Sequence, residues 1–108
     1  MKLIILAIYL LIKPGVVIKK ESSIDAFLKA FAKKHEVVLT ITSAYRSKEV
    51  NKRVGGKKDS KHLIPGMARD VRTRGLSLKI KKLLIKEAYK HSFIAIDEKD
   101  HIHIQRTK

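Results

Sequence analysis

Three of the five histidines, together with one aspartate, stand where their spacing suggests chemistry. His62 and Asp70 flank a Pro65-Gly66 turn, and Asp70 leads into Val71, so a loop can fold the imidazole back beside the carboxylate at the start of a strand. A third ligand is on offer near the C-terminus. There Asp100-His101-Ile102-His103-Ile104 alternates as a strand does and puts both imidazoles on one face. Two histidines and one aspartate leave a fourth zinc position open to water, the arrangement of a catalytic site and not of a closed structural one.

Composition narrows the chemistry further. The chain has no cysteine, so disulfides and thiolate zinc sites are excluded and any metal must be held by nitrogen and oxygen. A formal charge of +15 over 108 residues predicts attraction to polyanions such as nucleic acid, anionic lipid or acidic cell-wall polymers, or else a solvated lysine surface. Lysine dominates arginine and aromatic residues are few, which leaves little of the stacking platform that single-strand binders use. Gly55-Gly56 lacks the following Lys-Ser or Lys-Thr pair of a phosphate loop, so Gly55 to Asp59 reads as a flexible basic loop.

The elements that must position these residues can be read in order. The length suits one domain, residues 1–108. Residues 1–12 begin with a charge and an apolar run, as a secretion signal does, but no small-x-small cleavage site follows. They are also too short for a spanning helix, and a buried strand or helix is the preferred reading. Ser22 with Asp25 has capping-box spacing ahead of a helix whose apolar face is Ile24, Phe27, Leu28 and Phe31, closed by His35. Val37 to Thr42 reads as a central strand. It is followed by Ser43-Ala44-Tyr45-Arg46-Ser47, in which Arg46 either grips a substrate carboxylate or starts a helix capped by Ser47. Ala68 to Thr73 continues as a strand. Ser77 caps the longest helix, with Ile80, Leu83, Leu84 and Ala88 as its buried stripe and Lys79, Lys82 and Lys86 on a wet face. Phe93 to Asp97 and His101 to Gln105 form a hairpin about Glu98-Lys99. Strands interleaved with helices and ending in a hairpin predict an α+β domain with a mostly antiparallel sheet.

Three motifs in this order resemble the zinc-dependent D-alanyl-D-alanine carboxypeptidases, D-Ala-D-Ala dipeptidases and phage L-alanyl-D-glutamate endolysins, whose metal fold hedgehog domains share. They are Thr42-Ser43-Ala44-Tyr45-Arg46-Ser47, the set Ser60, His62, Gly66, Ala68 and Asp70, and the set Asp100, His101 and His103. The resemblance covers nearly the whole chain. It implies zinc held by His62, Asp70 and His103, a general base at Asp100, and Arg46 and His101 holding substrate and transition-state charge. Glu98 is the alternative base, and Asp97 also lies in the same turn. One departure is that Leu63-Ile64-Pro65 puts three residues between His62 and Gly66 where the family usually has two. The implied activity is hydrolysis of peptidoglycan stem peptides, as a carboxypeptidase or an endopeptidase, by a monomer whose basic surface is drawn to anionic wall polymers. Neither a nucleic-acid partner nor a membrane span is expected. A basic nucleic-acid-binding module and a non-catalytic metal-binding recognition domain are the alternatives.

Overall fold

The computed structural model describes residues 9–107. Its elements are β1 (Leu10–Ile12), α1 (Ser23–His35), β2 (Leu39–Ser43), α2 (Lys48–Arg53), a 3-10 turn (Lys61–Leu63), β3 (Ala68–Arg72), α3 (Leu78–Lys90), β4 (Phe93–Asp97) and β5 (His101–Arg106). The strands form one sheet in the order β1-β2-β3-β5-β4, in which only β1 and β2 run parallel. This is the expected α+β architecture with a mostly antiparallel sheet.

Local chemistry explains where the helices begin. Ser22 Oγ accepts from the Ile24 amide while Asp25 Oδ2 accepts from the Ser22 amide, a reciprocal capping box. Ser47 and Ser77 cap α2 and α3 by accepting from Val50 and Ile80. At its other end α1 stops where Glu36 turns into the left-handed region, φ 53°.

The two faces of the sheet have different fates because side chains alternate along each strand. Leu39, Ile41, Val71, Ala95, Ile102 and Ile104 point to one face, where they meet Ile24, Leu28 and Phe31 of α1 and Leu84 and Ala88 of α3 in a single buried core. Each of the larger of these side chains, the valine, leucines, isoleucines and phenylalanine, contributes about 1.5–3 kcal/mol on burial. The opposite face carries Asp70, Arg72, His101 and His103, since Asp70 pairs with His103 and Arg72 with His101 across β3 and β5. The functional residues therefore share a floor whose underside is the core.

Three expectations change. The central strand of the sheet is β3, and β2 begins two residues later than Val37, whose amide is tied to the end of α1 through Ala32 O. The end of the N-terminal apolar run is not buried: Leu11 and Ile12 lie exposed on the edge strand β1, and residues 1–8 of that run lie outside the described residues. The Gly55 to Asp59 segment is fastened to α2 rather than free. Asn51, buried on α2, donates from Nδ2 to Lys57 O at 2.8 Å, and Gly56 lies so close that a Cβ there would fall 2.0 Å from Asn51 Oδ1.

Candidate metal centre

His62 is delivered by the 3-10 turn, which Ser60 caps by accepting from the His62 amide at 3.2 Å. The chain then reverses through Ile64-Pro65-Gly66-Met67, closed by the Met67 amide on Ile64 O at 3.1 Å, with Gly66 at φ 75°. Proline followed by a glycine of positive φ is the signature of a type II turn, and it folds the chain from His62 back to β3. Asp70 then lies in the middle of β3 rather than at its start, opposite His103. A register shift between Ile41 and Ser43 kinks the end of β2 toward the same place and brings up the carbonyl of Ala44.

Three atoms converge here. Asp70 Oδ1 lies 3.0 Å from His62 Nε2 and 3.0 Å from His103 Nδ1, and the two nitrogens are 3.2 Å apart. The far nitrogen of each ring decides what the near one offers. His62 Nδ1 donates to Ala44 O at 2.6 Å, and a carbonyl only accepts, so in the neutral ring Nε2 presents a lone pair. His103 Nε2 donates to Gln105 Oε1 at 2.9 Å, so its Nδ1 does the same. Three acceptors therefore face one another in a buried site. One proton can relieve only part of that repulsion, whereas one cation satisfies all three. Tetrahedral zinc with ligand bonds of about 2.0–2.1 Å requires ligand atoms about 3.3 Å apart, close to the spacing found. Nitrogen and oxygen donors whose tautomers are set by a carbonyl and an amide suit zinc chemically, and no thiolate is available. The residues fit the metal.

A family model for peptidase M15 matches residues 7–105. The chain belongs to peptidase family M15. No curated protein sequence matches it. M15 peptidases are zinc-dependent metallopeptidases, and the His62, Asp70 and His103 group is the set in this chain able to hold such an ion among the described residues.

Electrostatics of the M15 site follow the same geometry. When a proton rather than a cation sits among the three atoms, burial pushes the Asp70 carboxyl up, but the contacts to His103 and His62, which then carry that proton, outweigh it and hold the group far below the usual carboxylate range. Burial lowers His103, and the contacts to Asp70 and Gln105 more than offset this, so its proton is held above the ordinary histidine value.

The cleft over these atoms has a volume of about 450 Å³ and is walled by Arg46, by the Gly55 to Lys61 segment, and by Glu98, His101 and Gln105. Arg46 does not extend β2. It follows it in the chain leading to α2, its amide bonded to His62 O at 2.8 Å and its Nη2 donating to Ser60 Oγ at 3.3 Å. His101 sits at the rim with Nε2 3.2 Å from Glu98 Oε2 and 3.7 Å from Asp70 Oδ2. Asp100 is not brought into the cleft. Its side chain is 88% exposed, reaches His101 Nδ1 from outside and lines a separate hollow, while Glu98 lines the cleft itself. Asp97 points away to accept from the Lys99 amide and to pair with Lys81.

Sequence reasoning missed Gln105, Ala44 and Asn51. Gln105 had a signal, because it stands two residues beyond His103 on an alternating strand and so shares its face. The Ala44 carbonyl had none, since a main-chain acceptor is invisible in residue type. Asn51 was marked only as an amide among charged residues on a short helix.

Proposed function

We propose that this M15 peptidase hydrolyses stem peptides of peptidoglycan, cutting either a terminal or an internal peptide bond. The observation that carries this reading is the convergence of three lone pairs at the floor of an open, polar cleft, which matches a catalytic metal with a position left for water. His62, Asp70 and His103 would hold the ion, which when bound lowers the pKa of a water from about 16 toward about 7 and polarises the scissile carbonyl.

The remaining work belongs to the side chains of the chain. Glu98 accepts the water proton on its carboxylate and returns it to the leaving amine, because of the carboxylates in the hairpin turn it is the one that lines the cleft. Asp100, the base that the family resemblance implies, instead acts through His101. Both ring nitrogens of His101 face carboxylates, and the ring held between Glu98 and Asp100 offers a hydrogen-bond donor at the cleft rim. Arg46 presents a planar guanidinium to a substrate carboxylate or carbonyl oxygen, while Ser60 fixes its position. Lys57 and Lys61 add positive charge to the cleft wall, which favours anionic peptides. The exposed Lys79, Lys82 and Lys86 of α3 lie on a different face and serve attraction to anionic wall polymers.

Purified peptidoglycan digested with the zinc-loaded protein should yield new amino and carboxyl ends, identified by mass spectrometry. A chelator should abolish them and added zinc restore them. Intact stem peptides after exhaustive digestion would sink the reading.

A further inference from the structure

Beside the cleft lies a second hollow of about 330 Å³, lined by Lys13, Thr42, Arg72, Arg74, Asp100 and His101. We propose that it is an anion subsite, in which Lys13, Arg72 and Arg74 take a carboxylate carried by the peptide substrate at a distance from the bond that is cut. The proposal rests on the peptidase reading above and extends it to residues that reading does not use.

Placement is the first support. Arg72 stands two residues beyond Asp70 on β3 and directly opposite His101 on β5, so it lies on the catalytic face of the sheet. His101 lines both the cleft and the hollow, which makes the two parts of one continuous surface. A peptide lying across the cleft and past His101 therefore meets Arg72 next.

Charge is the second support. The three cations come from two segments distant in the chain: Lys13 follows β1, while Arg72 ends β3 and Arg74 lies in the turn just beyond it. Among the described residues none of the three forms an ion pair, although carboxylates elsewhere on the surface do pair with Lys34 and Lys81. The one carboxylate in the hollow, Asp100, already faces His101 Nδ1. Three positive charges against one negative suit a singly charged guest, and two guanidinium groups supply the fork geometry that carboxylates fit.

Rigidity is the third. The Thr73 amide donates to Asp100 O at 3.2 Å and Thr73 Oγ1 donates to Lys99 O at 2.6 Å, pinning the end of β3 to the hairpin turn. Thr42 Oγ1 lies 3.5 Å from Asp70 O, so the hollow is fastened to the strand that carries a metal ligand. A preorganised hollow loses less on binding than a set of free surface lysines.

The test has two arms. In the first, NMR signals of the arginine Nε–H groups of the zinc-loaded protein are followed during titration with glutarate, with its neutral diamide glutaramide, and with inorganic phosphate. Glutarate should shift Arg72 and Arg74 while leaving Arg53 and Arg106 in place, and glutaramide should shift none. Equal movement of all four arginines would reduce the effect to general attraction by a basic surface, and a response to phosphate without one to glutarate would assign a different ligand; either overturns the proposal. This arm needs no turnover, so it stands apart from the peptidase reading.

In the second arm, soluble peptides are compared in pairs that differ only by glutamate or glutamine at successive positions on either side of the cut bond. At one position glutamate should raise kcat/KM about 10-fold or more through KM, and R72Q/R74Q should erase that preference without slowing the glutamine peptide. Loss of both peptides alike in R72Q/R74Q, or no preference at any position in the unaltered protein, would overturn the subsite. If no peptide of either kind is cut, the peptidase reading fails, and the first arm alone decides the subsite.

Discussion

Asp70 and His103 stand directly opposite one another on β3 and β5, and their side chains meet with Oδ1 3.0 Å from Nδ1. The pairing register makes this contact, and a slip of one residue would send Asp70 to the core face and Arg69 to the cleft. The sheet that closes the hydrophobic core thus also brings two candidate metal ligands together from positions 33 residues apart in the chain. Only His62 arrives from a loop, and its own backbone is held on both sides, its amide donating to Ser60 Oγ and its carbonyl accepting from the Arg46 amide.

His62→Ala, Asp70→Ala and His103→Ala should each abolish stoichiometric zinc binding, because three protein ligands leave no redundancy. Elemental analysis after dialysis checks this, with circular dichroism to show that the fold persists. A variant that keeps one zinc per chain removes its residue from the ligand set.

Glu98→Gln should retain zinc and lose turnover by about 100-fold or more, the range of a missing general base. Asp100→Asn should cost much less, since that side chain faces solvent and acts only through His101. Steady-state kinetics on a soluble peptide separates the two, and the reverse order of effects would return the base to Asp100.

Arg46→Lys should bind zinc normally and lose about 1.5–3 kcal/mol in kcat/KM, because a lysine cannot copy a two-point guanidinium contact. A rise in KM alone would assign substrate docking, and a fall in kcat would assign charge stabilisation in the transition state. Full activity in this variant would leave Arg46 a structural role at the start of α2.

Arg69, fully buried, donates from Nε to Asp25 Oδ1 at 2.7 Å and from Nη2 to Asp25 Oδ2 at 3.1 Å. Its Nη1 and Nη2 also donate to the carbonyls of Ala68 and Lys20. The carboxylate that caps α1 therefore also neutralises a charge on the far side of β3 from the metal site. Asp25→Ala should destabilise the fold by about 3–5 kcal/mol, since it strands a buried guanidinium. Urea denaturation measures it, and a loss under 1 kcal/mol, the level of an exposed pair, would contradict the burial.

Glu87 on α3 meets His35 at 2.9 Å and Lys34 at 3.3 Å, linking α3 to the end of α1. Burial raises its pKa, but the bonds from His35 and Lys34 together prevail and lower it. A carboxylate with a depressed folded-state pKa stabilises above its unfolded pKa and loses that contribution as pH falls through the folded value. Glu87→Gln should therefore be less stable than the parent at pH 7, by about 1 kcal/mol or less for so accessible a contact. The gap should close as the pH drops below the usual carboxylate range. Denaturant midpoints of the two proteins across that range give the answer, and a gap independent of pH would mean the contact is not ionic.

The sequence by itself determined the helix starts at Ser22, Ser47 and Ser77, the apolar faces of α1 and α3, the C-terminal hairpin and the candidate ligands His62 and Asp70. These depend on neighbours within a few residues, where capping, periodicity and turn chemistry operate. Spacing alone left the two C-terminal imidazoles open and the motif resemblance pointed to His103; tertiary structure supplied the physical distinction. His101 and His103 share a face, and only the register that sets His103 against Asp70 and His101 against Arg72 separates them. It also brought Glu98 rather than Asp100 into the cleft, because three residues of turn chemistry about Lys99, φ 73°, rotate one carboxylate inward and the other out. Arg69 gave no sign of burial in its own stretch, since its partner Asp25 lies 44 residues away. Strand register and loop closure join residues tens of positions apart, and no periodicity along the chain encodes which of them will meet.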